Sequence, residues 1–171
     1  MLDVARYSRL SRALHWLVAL GIFSLLTFGV YLSFVESGTD KTRLVQVHKS
    51  FGVIIGLLAV IRIGWRTREG FASPLEGSHL WEWQLARRVQ IAMLAATVAM
   101  PVSGILTSIT YARPVAVFGV PVIPKLLDEK NATLNDLAST AHAGIAILLA
   151  CLVAAHIGGA LKHKLRMRHR A

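Results

Sequence analysis

Four apolar stretches, each long enough to cross a lipid bilayer, divide this chain of 171 residues. A transmembrane helix needs about 20 mostly apolar residues. The stretches run from near Ser11 to Phe34, Leu44 to Trp65, Val89 to Ile109 and Leu137 to Leu161. Only 16% of residues are charged, against about 25% in soluble domains, which excludes a soluble enzyme and a disordered chain. The fold class expected is all-α, an integral membrane four-helix bundle forming one domain over residues 1–171. The first stretch is too long for the apolar region of a cleaved signal, and no small-residue cleavage site follows it, so it is expected to remain as a span.

Charge sets the orientation. The formal net charge is +10, which in a soluble protein would point to nucleic acid; in a membrane protein it reports cytoplasmic loops, and no nucleic-acid partner is expected. With four spans, the N-terminal tail, the connection at 66–88 and the C-terminal tail share one side. These regions and their flanks hold 13 of the 19 Lys and Arg, so that side is cytoplasmic, with both termini on it. Five acids on the other side nearly neutralise Lys41, Arg43, Lys49, Arg113, Lys125 and Lys130. The 66–88 connection, with Gly70, Pro74, Gly77, Trp81 and Trp83, reads as a short amphipathic segment on the inner surface. The 110–136 connection, with Pro114, Pro121 and Pro124, reads as an outer loop with one short ordered piece. Pro101 lies inside the third span and is expected to kink it. Cys151, the single cysteine, excludes an internal disulfide and covalent c-type haem attachment; mid-helix, it reads as a small packing residue.

The histidines carry the chemistry. Ionisable side chains inside a membrane are costly and normally face the bundle interior. His15, His48, His142 and His156 all fall within spans or at their ends. His142 and His156 are 14 residues apart, which on a helix is about 40° short of four full turns and a rise of roughly 21 Å. They share a face and sit near opposite membrane surfaces. The alternating span directions then place His15 with His156 near the inner surface and His48 with His142 near the outer one. Imidazoles facing each other across a bundle suit a non-covalent b-type haem in each layer. Gly29, Gly52, Gly56, Gly144 and Gly158 leave room for a porphyrin near these positions. Arg62, 14 residues beyond His48, reaches the inner layer and is expected to pair with a haem propionate. Competing readings are interhelical hydrogen bonding by isolated histidines and zinc, whose tetrahedral site two histidines do not complete. A transporter lacks support from any repeated broken-helix pair.

These residues resemble the bacterial cytochrome b561 family of small four-helix dihaem membrane cytochromes. The match is carried by Tyr7-Ser8-Arg9-Leu10 and His15-Trp16-Leu17-Val18, by His48-Lys49, Phe51-Gly52 and Arg62 to Trp65-Arg66, by Pro101-Val102-Ser103-Gly104, and by His142, His156 and His163. The resemblance implies two b haems and movement of single electrons across the bacterial inner membrane. One branch resembles superoxide oxidase, which oxidises superoxide at the outer surface and passes electrons to ubiquinone. In that reading Lys49, with Lys41, Arg43 and Arg113, attracts the anionic donor, and His163 is the first candidate to hydrogen-bond a quinone, ahead of Ser8 and Arg12. Many family members carry a histidine where this chain has Gln90. The alternative is a cytochrome b subunit passing electrons between a dehydrogenase or hydrogenase partner and quinone.

Overall fold

The structure, a computed structural model, describes residues 8–70 and 80–168, with the side chains of 163, 164, 167 and 168 outside that description. Four helices follow in chain order: α1 over Arg9–Phe34, α2 over Thr39–Glu69, α3 over Leu80–Thr110 and α4 over Ala132–Arg168. Each holds a segment long and apolar enough to cross a membrane, so the chain is an all-α, multi-pass membrane protein. At 1.5 Å per residue, the 31 residues of α2 and of α3 extend about 46 Å, well beyond a hydrocarbon core of about 30 Å. Their polar ends therefore reach the headgroups.

The side chains are arranged for a hydrocarbon solvent. Leu17, Leu20, Phe23, Leu57 and Ile147 are more than half exposed, while Ser50, Thr97, Ser103, Ser108, Thr110 and Asn135 are buried. Several of these inward hydroxyls satisfy themselves on their own helix: Thr97 Oγ1 donates to the Met93 carbonyl at 2.7 Å and Thr110 Oγ1 to that of Leu106 at 2.7 Å. Such back-bonding removes the cost of carrying a hydroxyl into an apolar bundle.

Helix ends follow from local chemistry. Ser8 caps α1, its Oγ accepting from Ser11 N at 3.1 Å. Gly70, at φ 78°, closes α2 in a left-handed conformation that glycine adopts without strain. Asn131 starts α4 by accepting from Leu134 N at 3.0 Å.

α1 packs along α2, α2 along α3, and α3 along α4. Gly56 allows the α2–α3 approach: a Cβ there would lie 2.9 Å from Pro101, and α3 continues as helix through that proline. Among the described residues, no comparable packing joins α4 to α1 or α2. The helices thus form an arc with a gap between α4 and the α1–α2 pair.

One connection differs from the sequence reading, and the other gains detail. Trp81 and Trp83 belong to the first turn of α3 and not to a separate surface segment. The physical reason lies in Glu82, which accepts from Lys162 Nζ at 3.0 Å and Arg166 Nη1 at 2.9 Å; this joins the end of α3 to α4 and extends α3 beyond its apolar stretch. Pro74 and Gly77 lie outside the described residues. Across the bundle, the ordered piece of the 110–136 connection is a hairpin, β1 (Val115–Val117) antiparallel to β2 (Val120–Ile123). Its turn has positive φ at both Phe118 and Gly119, the backbone of a two-residue hairpin loop. Left-handed backbone at Phe118 costs about 1–2 kcal/mol. The offset comes from α2, where Ser50 Oγ accepts from Phe118 N at 2.9 Å and the Phe51 ring meets Phe118 edge-on.

Candidate functional site

The gap beside α4 is crossed by side chains at two levels. On the side of the chain termini, the rings of His15 (α1) and His156 (α4) have centroids 6.3 Å apart. On the side of the hairpin, the rings of His48 (α2) and His142 (α4) have centroids 6.4 Å apart. Both pairs fall on the helices, and at the levels, that the 14-residue spacing predicts.

Each pair lines a cavity. The termini-side cavity has a volume of about 230 Å³ and is bordered by Arg12, Arg62, Arg66 and Gln90 as well as the two histidines. The hairpin-side cavity, about 310 Å³, is bordered by Gly29, Lys49, Gly104 and Val115 as well as its two. Glycines give the hairpin-side rings space. A Cβ on Gly104 would lie 3.2 Å from His142 Cε1, and one on Gly29 would lie 3.5 Å from His48 Cε1.

The polar contacts of the rings are specific. Ser103 Oγ is 2.9 Å from His142 Nδ1 and donates its own proton to the Met100 carbonyl at 2.9 Å. His48 Nδ1 is buried with no hydrogen-bond partner among the described residues. Arg62 Nη2 lies 3.2 Å from His15 Nδ1. Lys49 Nζ donates to the Pro114 carbonyl at 3.1 Å, which ties the root of the hairpin to α2 at the cavity wall. Nearby, Arg113 and Lys130 both lie over the Tyr111 ring, at 4.3 and 5.1 Å.

These distances test what the pairs can hold. A metal–imidazole bond of about 2 Å places the ring centroid roughly 3 Å from the metal, so two rings on opposite sides of one ion have centroids about 6 Å apart. Both observed separations match. Among the described residues no group of three or more His, Cys, Asp or Glu is placed to hold a metal, so protein side chains supply two opposed donors and no others. That donor set fits a metal whose equatorial ligands come from a macrocycle, as in haem.

Long apolar helices with opposed imidazoles between them fit the class of multi-pass membrane haem proteins. Residues 6–171 match the family model described as prokaryotic cytochrome b561. The chain is also 30% identical over 161 residues, 92% of its own length and 84% of the relative's, to cytochrome b561 homolog 2 of Escherichia coli (strain K12). It belongs to the prokaryotic cytochrome b561 family and is a membrane b-type haem electron-transfer protein.

Other residues singled out from sequence fall into place unevenly. Arg12 and Gln90 border the termini-side cavity, but Ser8 is engaged as a helix cap and receives a hydrogen bond from Trp65 Nε1 at 3.4 Å. The His163 side chain lies outside the described residues. Lys41 donates to the Val35 carbonyl at 2.8 Å, and Arg43 stands 4.0 Å from Asp40. Cys151 is exposed on α4 and does not pack inside the bundle. Ser103, Gly104 and Arg66 are site residues that the sequence does not single out, because nothing local to them says which side chain on another helix they meet.

Proposed function

We propose that this chain is a dihaem superoxide:ubiquinone oxidoreductase of the bacterial inner membrane, with both termini cytoplasmic. The observation that carries the reading is the pair of opposed imidazole sets, one on each side of the bundle midplane, separated by 6.3 and 6.4 Å. His15 with His156 hold one haem and His48 with His142 the other. When bound, haem supplies the one-electron chemistry.

The chain's own residues do the rest. Lys49 places an ammonium at the wall of the hairpin-side cavity, where positive charge raises the local concentration of a small anion such as superoxide. Val115, 1% exposed, adds an apolar side chain from the hairpin to the wall of that cavity. At the other level, Arg62 and Arg66 match the carboxylates of a propionate-bearing ligand. Arg12 borders the termini-side cavity, where a quinone carbonyl can accept a hydrogen bond from it, and His163 remains the candidate donor that the sequence offers. Two superoxide ions each surrender one electron and leave as dioxygen; the two electrons, with two protons from the cytoplasmic side, convert ubiquinone to ubiquinol.

Stopped-flow mixing of the purified, oxidised protein with superoxide tests this. Rapid rise of the reduced b-type α band, slowed by added salt and followed by ubiquinol formation when ubiquinone is present, is the expected result. A colourless protein would sink the haem assignment. A coloured protein that superoxide does not reduce would sink the donor, and co-purification of a soluble redox subunit would replace it.

A further inference from the structure

A histidine that ligates a metal through one nitrogen is tuned through the other. The group that meets that second nitrogen changes the basicity of the ligand and with it the potential of the metal. The two levels of this bundle differ at that atom.

On the hairpin side, Ser103 Oγ spends its proton on the Met100 carbonyl and faces His142 Nδ1 with lone pairs, at 2.9 Å. With Nε2 keeping its lone pair for a metal, Nδ1 carries the hydrogen, and Ser103 Oγ as its neutral acceptor makes the ring more electron-donating.

On the termini side, His15 Nδ1 faces Arg62 Nη2 at 3.2 Å. A guanidinium offers only donors; with Nε2 of His15 kept for a metal, its Nδ1–H and the guanidinium form no hydrogen bond, and Arg62 acts on this ring as an adjacent positive charge. Arg12 and Arg66 border the same cavity. Among the described residues, Lys49 alone of the lysines and arginines borders the hairpin-side cavity, with its ammonium held by the Pro114 carbonyl. No carboxylate borders either cavity among the described residues. Adding an electron to a site adds negative charge; cations in apolar surroundings stabilise that state, and a more donating imidazole opposes it.

We propose that Ser103 and Arg62 are positioning residues that hold the two sites at unequal potential, the termini-side site accepting an electron more readily than the hairpin-side site. Electron movement through the bundle is thereby directional, from the hairpin side to the side of the termini. The inference rests on the two-haem reading above and assigns the origin of its direction to these side chains.

Equilibrium redox titration of the purified, haem-loaded protein tests it, after haem per chain has been measured. The wild type gives two one-electron steps. His142→Ala removes the lower step and leaves the higher one, which assigns the steps to levels. Ser103→Ala raises the lower step and leaves the higher in place, and Ser103→Thr, which keeps the hydroxyl, restores the wild-type value. Arg62→Gln lowers the higher step, and Arg62→Lys retains most of it. Each shift is at least a tenfold change in how an electron divides between the sites, or ~59 mV for a one-electron couple. If Ser103→Ala loses haem, Ser103→Cys, a weaker acceptor of similar size, must shift the lower step in the same direction. Loss of the higher step in His142→Ala, or steps that stay at their wild-type values in both the Ser103 and Arg62 variants, overturns the proposal. A wild type with fewer than two haems is seen before any titration and overturns the two-haem reading itself.

Discussion

Gly104 offers the sharpest test of how the hairpin-side site is built. A single added carbon there would stand 3.2 Å from His142 Cε1 and 3.5 Å from Nδ1. The first distance is tight for carbon against carbon, so Gly104→Ala makes the imidazole yield by a few tenths of an ångström and stretches its 2.9 Å contact with Ser103 Oγ. Valine adds two methyl groups and gives the ring no room to yield. Overpacking of this kind costs about 1–3 kcal/mol, which corresponds to a roughly 5- to 150-fold weaker hold on the ligand at about 1.4 kcal/mol per tenfold. The expected outcome is graded. Gly104→Ala keeps two haems per chain with a small shift in the hairpin-side spectrum, whereas Gly104→Val loses that haem and keeps the other. Gly29→Ala serves as the control, because its Cβ would be 3.5 Å from His48 Cε1, an ordinary contact. Haem per chain is measured by pyridine haemochrome after washing in detergent with an excess of haem-free acceptor protein. Full retention in Gly104→Val, or equal loss from both levels, would refute the argument.

Three further outcomes follow from the same geometry. His142→Ala removes the hairpin-side haem and spares the termini-side one, while His15→Ala does the reverse; difference spectra of the reduced proteins distinguish them, and loss of both from either change would show that the levels are not independent. Lys49→Glu slows reduction by an anionic donor roughly tenfold at low salt and leaves a neutral reductant unaffected. Equal slowing of both, matched by Lys49→Met, would mean that the lysine acts only by holding the Pro114 carbonyl. Asn135 is buried and donates to the Thr107 carbonyl at 2.9 Å and to Thr110 Oγ1 at 3.1 Å, so Asn135→Ala destabilises the α3–α4 pair by about 1–3 kcal/mol; an unchanged thermal midpoint in detergent would contradict this.

Much of this architecture is legible in the chain because two periodicities are strong. Apolar runs of membrane length give the four helices, and a 14-residue interval on a helix gives a shared face and a fixed rise, which is enough to pair His15 with His156 and His48 with His142. The same interval carries Arg62 from His48 to the opposite level. What escapes is chemistry set by neighbours remote in sequence. Trp81, Trp83 and the prolines and glycine before them look like an interfacial segment; α3 reaches back through the tryptophans because Glu82 meets Lys162 and Arg166, some 80 residues later. The hairpin escapes too, since Phe118-Gly119 is a poor turn sequence by itself and depends on Ser50 and Phe51 of α2 to hold it. Ser103 and Gly104 are noticeable only as a family-like string. Their purpose appears once α4 delivers His142 against them.

Among the described residues α4 has no packing with the α1–α2 pair comparable to its packing along α3, and this has a consequence for assembly. An arc left open along one edge admits a broad, flat, greasy molecule sideways from the lipid, without any helix having to leave the bilayer. A flat group gripped between His15 and His156, and another between His48 and His142, would tie α4 to the α1–α2 pair as a keystone ties a vault.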